Sequence, residues 1–165
     1  MKNNILISAV KKARIALAVM AVCGMTFVGA ENTWAKNIYD GDGNVAVMGD
    51  NNTLVGNANM AMSGDNSTMI GSNNMSQSGD SVAIGTNNWI NGQYTVAIGN
   101  VSKASADKTI AIGDHAESDL ESGIAIGANA HAMAKNSVAV GAGATANEEN
   151  TFSVGSMTEQ RRIVN

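Results

Sequence analysis

His115 and His131 are the only histidines in the chain, and Glu117, Asp119 and Glu121 stand between them at alternate positions. Two imidazoles lack a third ligand of the right kind for a zinc centre, so the expectation is no metal site. Alternating carboxylates could do acid–base work if something sheltered them. Nothing in the surrounding residues does, and the three acids read as a solvated strand face. Asp40-Gly41-Asp42-Gly43-Asn44 has a faint calcium-loop look but lacks the twelve-residue pattern with its closing Glu, so it reads as a turn. Cys23 is the only cysteine. It lies in an N-terminal leader, so the mature chain has no disulfide, thiolate nucleophile or Cys-based metal site. Trp89, in the polar stretch Asn87-Asn88-Trp89-Ile90-Asn91, is the best single ligand-contact candidate if it points outward. No cofactor-binding motif and no catalytic residue is found, and the chain is not expected to be an enzyme.

What must position these residues is a repeat. Gly56, Gly71, Gly85, Gly99, Gly113, Gly127, Gly141 and Gly155 are separated by one step of fifteen and six of fourteen residues. Each closes a three-residue apolar run such as Val82-Ala83-Ile84, Val96-Ala97-Ile98, Ile110-Ala111-Ile112, Ile124-Ala125-Ile126 or Val138-Ala139-Val140. Such regularity marks a stacked solenoid. Fourteen residues suffice for two short strands and two turns, at about 3.3 Å per strand residue. The expected fold is therefore all-β, a flattened parallel β-roll with two strands per coil. Glycine supplies the corners, and a chain with no proline keeps every N–H for the ladder. The extra residue of the first repeat is expected in a turn between Asn57 and Ser67.

Alternation along each run puts its first and third residues on one face and the middle one on the other. Bulky residues are expected inside, which makes Val82, Ile84, Val96, Ile98, Ile110, Ile112, Ile124, Ile126, Val138 and Val140 the repeat core. Ala83, Ala97, Ala111, Ala125 and Ala139 would then face outward. A row of outward alanines suggests close approach of another chain, so these five are the expected subunit contact.

The N-terminus has a different organisation. Lys2, Lys11, Lys12 and Arg14 precede an apolar stretch, Ile15 to Val28, and then Gly29 and Ala30. This is the order of a secretory signal. Residues 1–30 are expected to be removed after Ala30, with residue 35 as the alternative end. The apolar run is short and interrupted for a membrane span of about 20 residues. Beyond Ala30, six Lys and Arg face fourteen Asp and Glu, which argues against nucleic acid and anionic membranes as partners.

The recurring Ser-Val-Ala-Ile-Gly and Thr-Val-Ala-Ile-Gly units at residues 81–85 and 95–99, and Asn136-Ser137-Val138-Ala139-Val140-Gly141, resemble the head repeats of trimeric autotransporter adhesins of the YadA-like family. Residues 36–155 carry this resemblance, and 156–165, ending Arg161-Arg162-Ile163-Val164-Asn165, resemble part of the family's neck. The family's surface-binding Asn-Ser-Val-Ala-Ile-Gly string is approached only by residues 136–141, with Val140 in place of Ile. The resemblance implies a left-handed roll, a homotrimer with small residues at the subunit contact, and neck arginines, here Arg161 and Arg162, that staple the chains. It also implies secretion to the bacterial cell surface or outer membrane and attachment to host matrix, host cells or other bacteria. No stalk or membrane anchor is found in this sequence. A second class, a β-solenoid carbohydrate-active or acyltransferase-like enzyme, would need wider coils and a catalytic His or carboxylate cluster.

Overall fold

The computed structural model describes residues 37–164. The leader and its expected cleavage at Ala30 lie outside the described residues. Two parallel sheets run the length of the described unit. The first has nine strands: β1 (Ile38–Asp40), β3 (Thr53–Asn57), β5 (Thr68–Ser72), β7 (Val82–Thr86), β9 (Val96–Asn100), β11 (Ile110–Ile112), β13 (Ile124–Ile126), β15 (Val138–Val140) and β17 (Phe152–Ser153). The second is built from two-residue strands: β2 (Val45–Ala46), β4 (Met60–Ala61), β6 (Met75–Ser76), β8 (Trp89–Ile90), β10 (Lys103–Ala104), β12 (Glu117–Ser118), β14 (His131–Ala132) and β16 (Thr145–Ala146). The chain alternates between the sheets, and each strand pairs with the equivalent strand one coil away. Val82 thus lies against Val96, Ala83 against Ala97 and Gly85 against Gly99. The extra residue of the early repeats falls in the corner between Ala61 and Ser67, which is one residue longer than the matching corner between Ser76 and Ser81.

The interior reverses the expected facing. Ala83, Ala97, Ala111, Ala125 and Ala139 are fully buried within one chain, so they cannot be the subunit contact. Val82, Ile84, Val96, Ile98, Ile110, Ile112, Ile124, Ile126, Val138 and Val140, expected as the core, point outward and are half-buried or exposed. The physical reason is width. Fourteen residues with two short corners leave little room between the two sheets, and the interior is filled mostly by Ala and Ser. The alanines meet Ala104, Ala132 and Ala146 from the second sheet, and the polar Ser118 is buried among them. The large residues Leu54, Met69 and Ile90 share one core cluster with small ones, among them Ala61, Ala83 and Ala97. Close packing of this kind tolerates little added volume.

Two corners close each coil, and both put residues in the left-handed region. One corner holds Asn73, Asn87, Val101, His115 and Asn129, with φ between 52° and 57° for its non-glycine members from Ala58 onward. The other holds Asn66, Asp80, Tyr94, Lys108, Ser122 and Asn136. Asn and Asp tolerate this conformation through local hydrogen bonding. The repeat glycine is required for a second reason. At Gly85, φ is 121°, and an added Cβ would collide with the carbonyl of Gly99 in the next coil.

Beside the first corner runs a buried column that begins as asparagine and ends as alanine: Asn44, Asn59, Asn74, Asn88, Ser102, Ala116, Ala130 and Ala144. From Asn59 onward each Asn amide bonds its predecessor and the backbone. Asn88 Nδ2 donates to Asn74 Oδ1 (2.9 Å), Ile84 O (3.0 Å) and Gly99 O (3.1 Å). Ser102 Oγ still reaches Gly113 O at 2.6 Å. Alanine cannot, and from there the backbone closes the corner itself: Gly127 N–H donates to Ile112 O, and Ala130 N–H donates to Gly127 O. The first-sheet strands shorten from five residues to three at the same point. Asn44 bonds Asp40 O and Gly56 O at 2.8 Å each, so Asp40–Asn44 is the first corner of the roll, as a turn reading expects.

Candidate binding surfaces

The outward face of the first sheet consists of two apolar columns in register. Val82, Val96, Ile110, Ile124 and Val138 form one; Ile84, Ile98, Ile112, Ile126 and Val140 form the other. Ile70 and Ile126 are 41% and 38% exposed. Neither column contains a charged residue over these rungs. A continuous apolar face of this kind marks an interaction surface.

The second sheet's outward face changes character along the roll. Its early rungs present Val45, Met60, Met75 and Trp89, which lie in register. Trp89 is 39% exposed, and its indole N–H donates to Asn91 Oδ1 at 2.7 Å. The candidate ligand contact is thus outward and apolar-flanked. Later rungs are charged. Lys103, Glu117 and His131 follow one another in the same column, and Asp119 stands beside Glu117.

The structure separates the two histidines. His115 sits at a left-handed corner with Nδ1 3.1 Å from Asp114. His131 Nε2 lies 2.6 Å from Asp119 Oδ2 and 3.8 Å from Glu117 Oε2. Lys103 bonds Glu117 and lies 3.5 Å from Asp119. Burial pushes the Asp119 carboxyl up, but the His131 hydrogen bond and charge, with Lys103, outweigh it and hold the group below the ordinary aspartate value. The Lys103 ammonium is held above its ordinary value by its bond to Glu117. Glu121 belongs to a different cluster, bonded by Lys108 and Lys135. Sequence reasoning did not bring Glu117, Asp119 and His131 together. The signal was present, since Glu117 and His131 are one repeat apart.

At the C-terminal end, Arg161 donates to Val154 O (2.8 Å) and Ala142 O (2.7 Å) of its own chain. Arg162 is exposed. Among the described residues no helix is long and apolar enough to cross a membrane.

Residues 91–116, 121–144 and 134–156 match the model of the YadA head domain repeat. The crystal structure of the collagen-binding domain of the Yersinia adhesin YadA is similar to this chain, with a TM-score of 0.58 and 23% sequence identity over 75% of this chain and 74% of that one. No curated protein matches. Neither match is to an enzyme. The later coils thus match YadA head repeats, and the described residues share the fold of the YadA collagen-binding domain.

Proposed function

We propose that this chain is a YadA-like adhesin head that acts as a homotrimer at the bacterial cell surface, and that the three chains meet through the Val and Ile columns of the first sheet. The observation that carries this is the outward register of those columns, which leaves a long apolar face on an otherwise acidic chain. Burying it would contribute roughly 25 cal/mol per Å² of apolar surface removed from water. A closed threefold ring covers such a face on every chain, with no edge left open. Exposed Arg162 stands where the family's neck arginines link subunits, while Arg161 also ties the last coil to its own chain.

The trimer leaves the second sheet's outward face free, and this is the surface for recognition. The similar Yersinia domain binds collagen. A host extracellular-matrix or cell-surface protein is accordingly the proposed partner class here, with the early Met and Trp89 rungs as its contact. Export rests on the N-terminal leader, cut after Ala30.

Light scattering on the purified chain tests the assembly. The expected mass is three chains for the wild type and one for Ile98→Lys/Ile112→Lys, with the far-UV spectrum of the roll retained. A monomeric wild type, or a variant that still trimerises, refutes the interface. Adhesion to immobilised matrix proteins is then compared for wild type and Trp89→Ala. Lost binding with an unchanged melting curve supports the contact, whereas unchanged binding with lost stability makes Trp89 a packing residue.

A further inference from the structure

Outside the apolar faces, one cluster stands out by its donor chemistry. β12 and β14 are neighbouring rungs, with Glu117 registered against His131. The Asp119 N–H donates to Ala132 O, so the ladder continues past both strands. Glu117 and Asp119, two residues apart, therefore project on the same face as His131. One ligand atom from each of the three lies within 4.8 Å of the others. Their side chains are about a third exposed, at 31%, 31% and 28%. The backbone beneath them is fixed by hydrogen bonds on neighbouring rungs, a firmer platform than a loop.

We propose that Glu117, Asp119 and His131 bind a divalent transition-metal ion of the zinc type, one per chain. Zinc takes imidazole and carboxylate ligands at about 2.0–2.2 Å in a tetrahedral arrangement. The 2.6 Å His131–Asp119 separation must open, and the 3.8 Å His131–Glu117 separation must close. Side-chain rotation achieves both without moving the ladder. The imidazole donor selects zinc, nickel or copper over calcium and magnesium, which prefer all-oxygen shells. Three protein ligands leave a fourth position for water or for a donor from a bound partner. Lys103 is the resident competitor. Its ammonium bonds Glu117 and lies 3.5 Å from Asp119, and its flexible stem lets it swing into solvent when a dication displaces it. No other rung repeats the donor set: the His131 column continues to Thr145, and Trp89 and Met75 precede Lys103.

The test is zinc titration of tag-free, chelator-treated protein by calorimetry, with the imidazole resonances followed by NMR. The expected result is one Zn²⁺ per chain, with the His131 signals shifted and those of His115 unmoved. His131→Thr places in β14 the residue that β16 carries in the same column, so the roll is kept and its melting curve unchanged. It should weaken zinc by about tenfold or more, at least as much as loss of an outer-shell partner does. Lys103→Met should tighten binding, and calcium in place of zinc should give no saturable heat. Absence of stoichiometric zinc binding overturns the proposal. So does binding that survives His131→Thr, binding weakened by Lys103→Met, or calcium bound as well as zinc.

Discussion

Asn74 Oδ1 accepts two hydrogen bonds from Asn88 in the next coil, from the backbone N–H at 3.1 Å and from Nδ2 at 2.9 Å. Through this contact a side chain one repeat away does what a backbone ladder does elsewhere. Asn74 in turn donates to Asn59 Oδ1 and Gly85 O, both at 3.0 Å. The early coils are thus joined at their corner by an amide column wholly out of water. A buried polar network of this kind stabilises only while every member is satisfied.

Asn74→Ala breaks the column in the middle. It strands the Asn88 backbone N–H and removes the side-chain donor to the Gly85 carbonyl. Leaving buried polar groups unpaired costs about 1–3 kcal/mol each, so a loss of at least ~2 kcal/mol is expected in urea unfolding. The reverse change, Ala130→Asn, should give no matching gain, because that corner is already closed by Ala130 N–H to Gly127 O. Equal and opposite effects would show that the two corner types are interchangeable.

The reversed facing makes neighbouring residues answer differently. Ala97 is fully buried between the sheets, whereas Ile98 points out. Ala97→Leu forces three extra carbons into a space sized for a methyl group, and overpacking costs about 1–3 kcal/mol even in ordinary cores. A lower melting temperature at every protein concentration is expected. Ile98→Lys should instead alter association and leave the isolated roll folded. If Ala97→Leu melted like the wild type, the narrow interior would be wrong.

Much of this roll was legible in the chain. The glycine period gave coil length and rung register, and Gly85 does lie against Gly99. The facing was not legible, because Val82, Ala83 and Ile84 are all apolar and hydropathy alone cannot choose between the two faces. The distance between sheets decides, and that distance is a property of the closed coil. The asparagine column was readable in principle, since Asn59, Asn74 and Asn88 keep the repeat spacing, but polar residues in a half-unit read as solvated. The grouping of Glu117, Asp119 and His131 is hard to see in the sequence for a simple arithmetic reason. The two histidines, His115 and His131, are two residues out of register, while Glu117 and His131 pair directly.

Asp114 offers a pH test away from that trio. Its carboxyl is held below the ordinary aspartate value, first by the hydrogen bond from Asn100 Nδ2 at 2.9 Å and then by His115. A depressed folded pKa contributes stability above the unfolded value, and this is lost as pH falls through the folded value. The group is exposed to solvent, so its effect on unfolding is small. Its titration is the better readout. In Asn100→Ala the Asp114 carboxyl ¹³C shift should titrate at higher pH than in the wild type. An unchanged midpoint would mean the bond does not persist in solution.

Val101 is the rung residue least suited to its place. It has φ of 57° at a corner where Asn73, Asn87 and Asn129 stand in other coils, and the last such corner uses Gly143. A β-branched side chain in the left-handed region crowds its own backbone, at a cost of roughly 1–2 kcal/mol. The corner's hydrogen bond, Val101 N–H to Thr86 O at 2.9 Å, involves only backbone and survives substitution. The side chain is 42% exposed and sits outside the core, so the burial lost is modest. Val101→Asn should therefore stabilise the roll by about 1 kcal/mol, raising the calorimetric midpoint by about 4 °C. Val101→Gly should gain less, because the unfolded chain gains freedom that folding must then remove. Asn87→Val is the reciprocal experiment and should lower the midpoint by a similar amount. If Val101→Asn melts at or below the wild-type temperature, the strain at this corner is absorbed elsewhere in the coil.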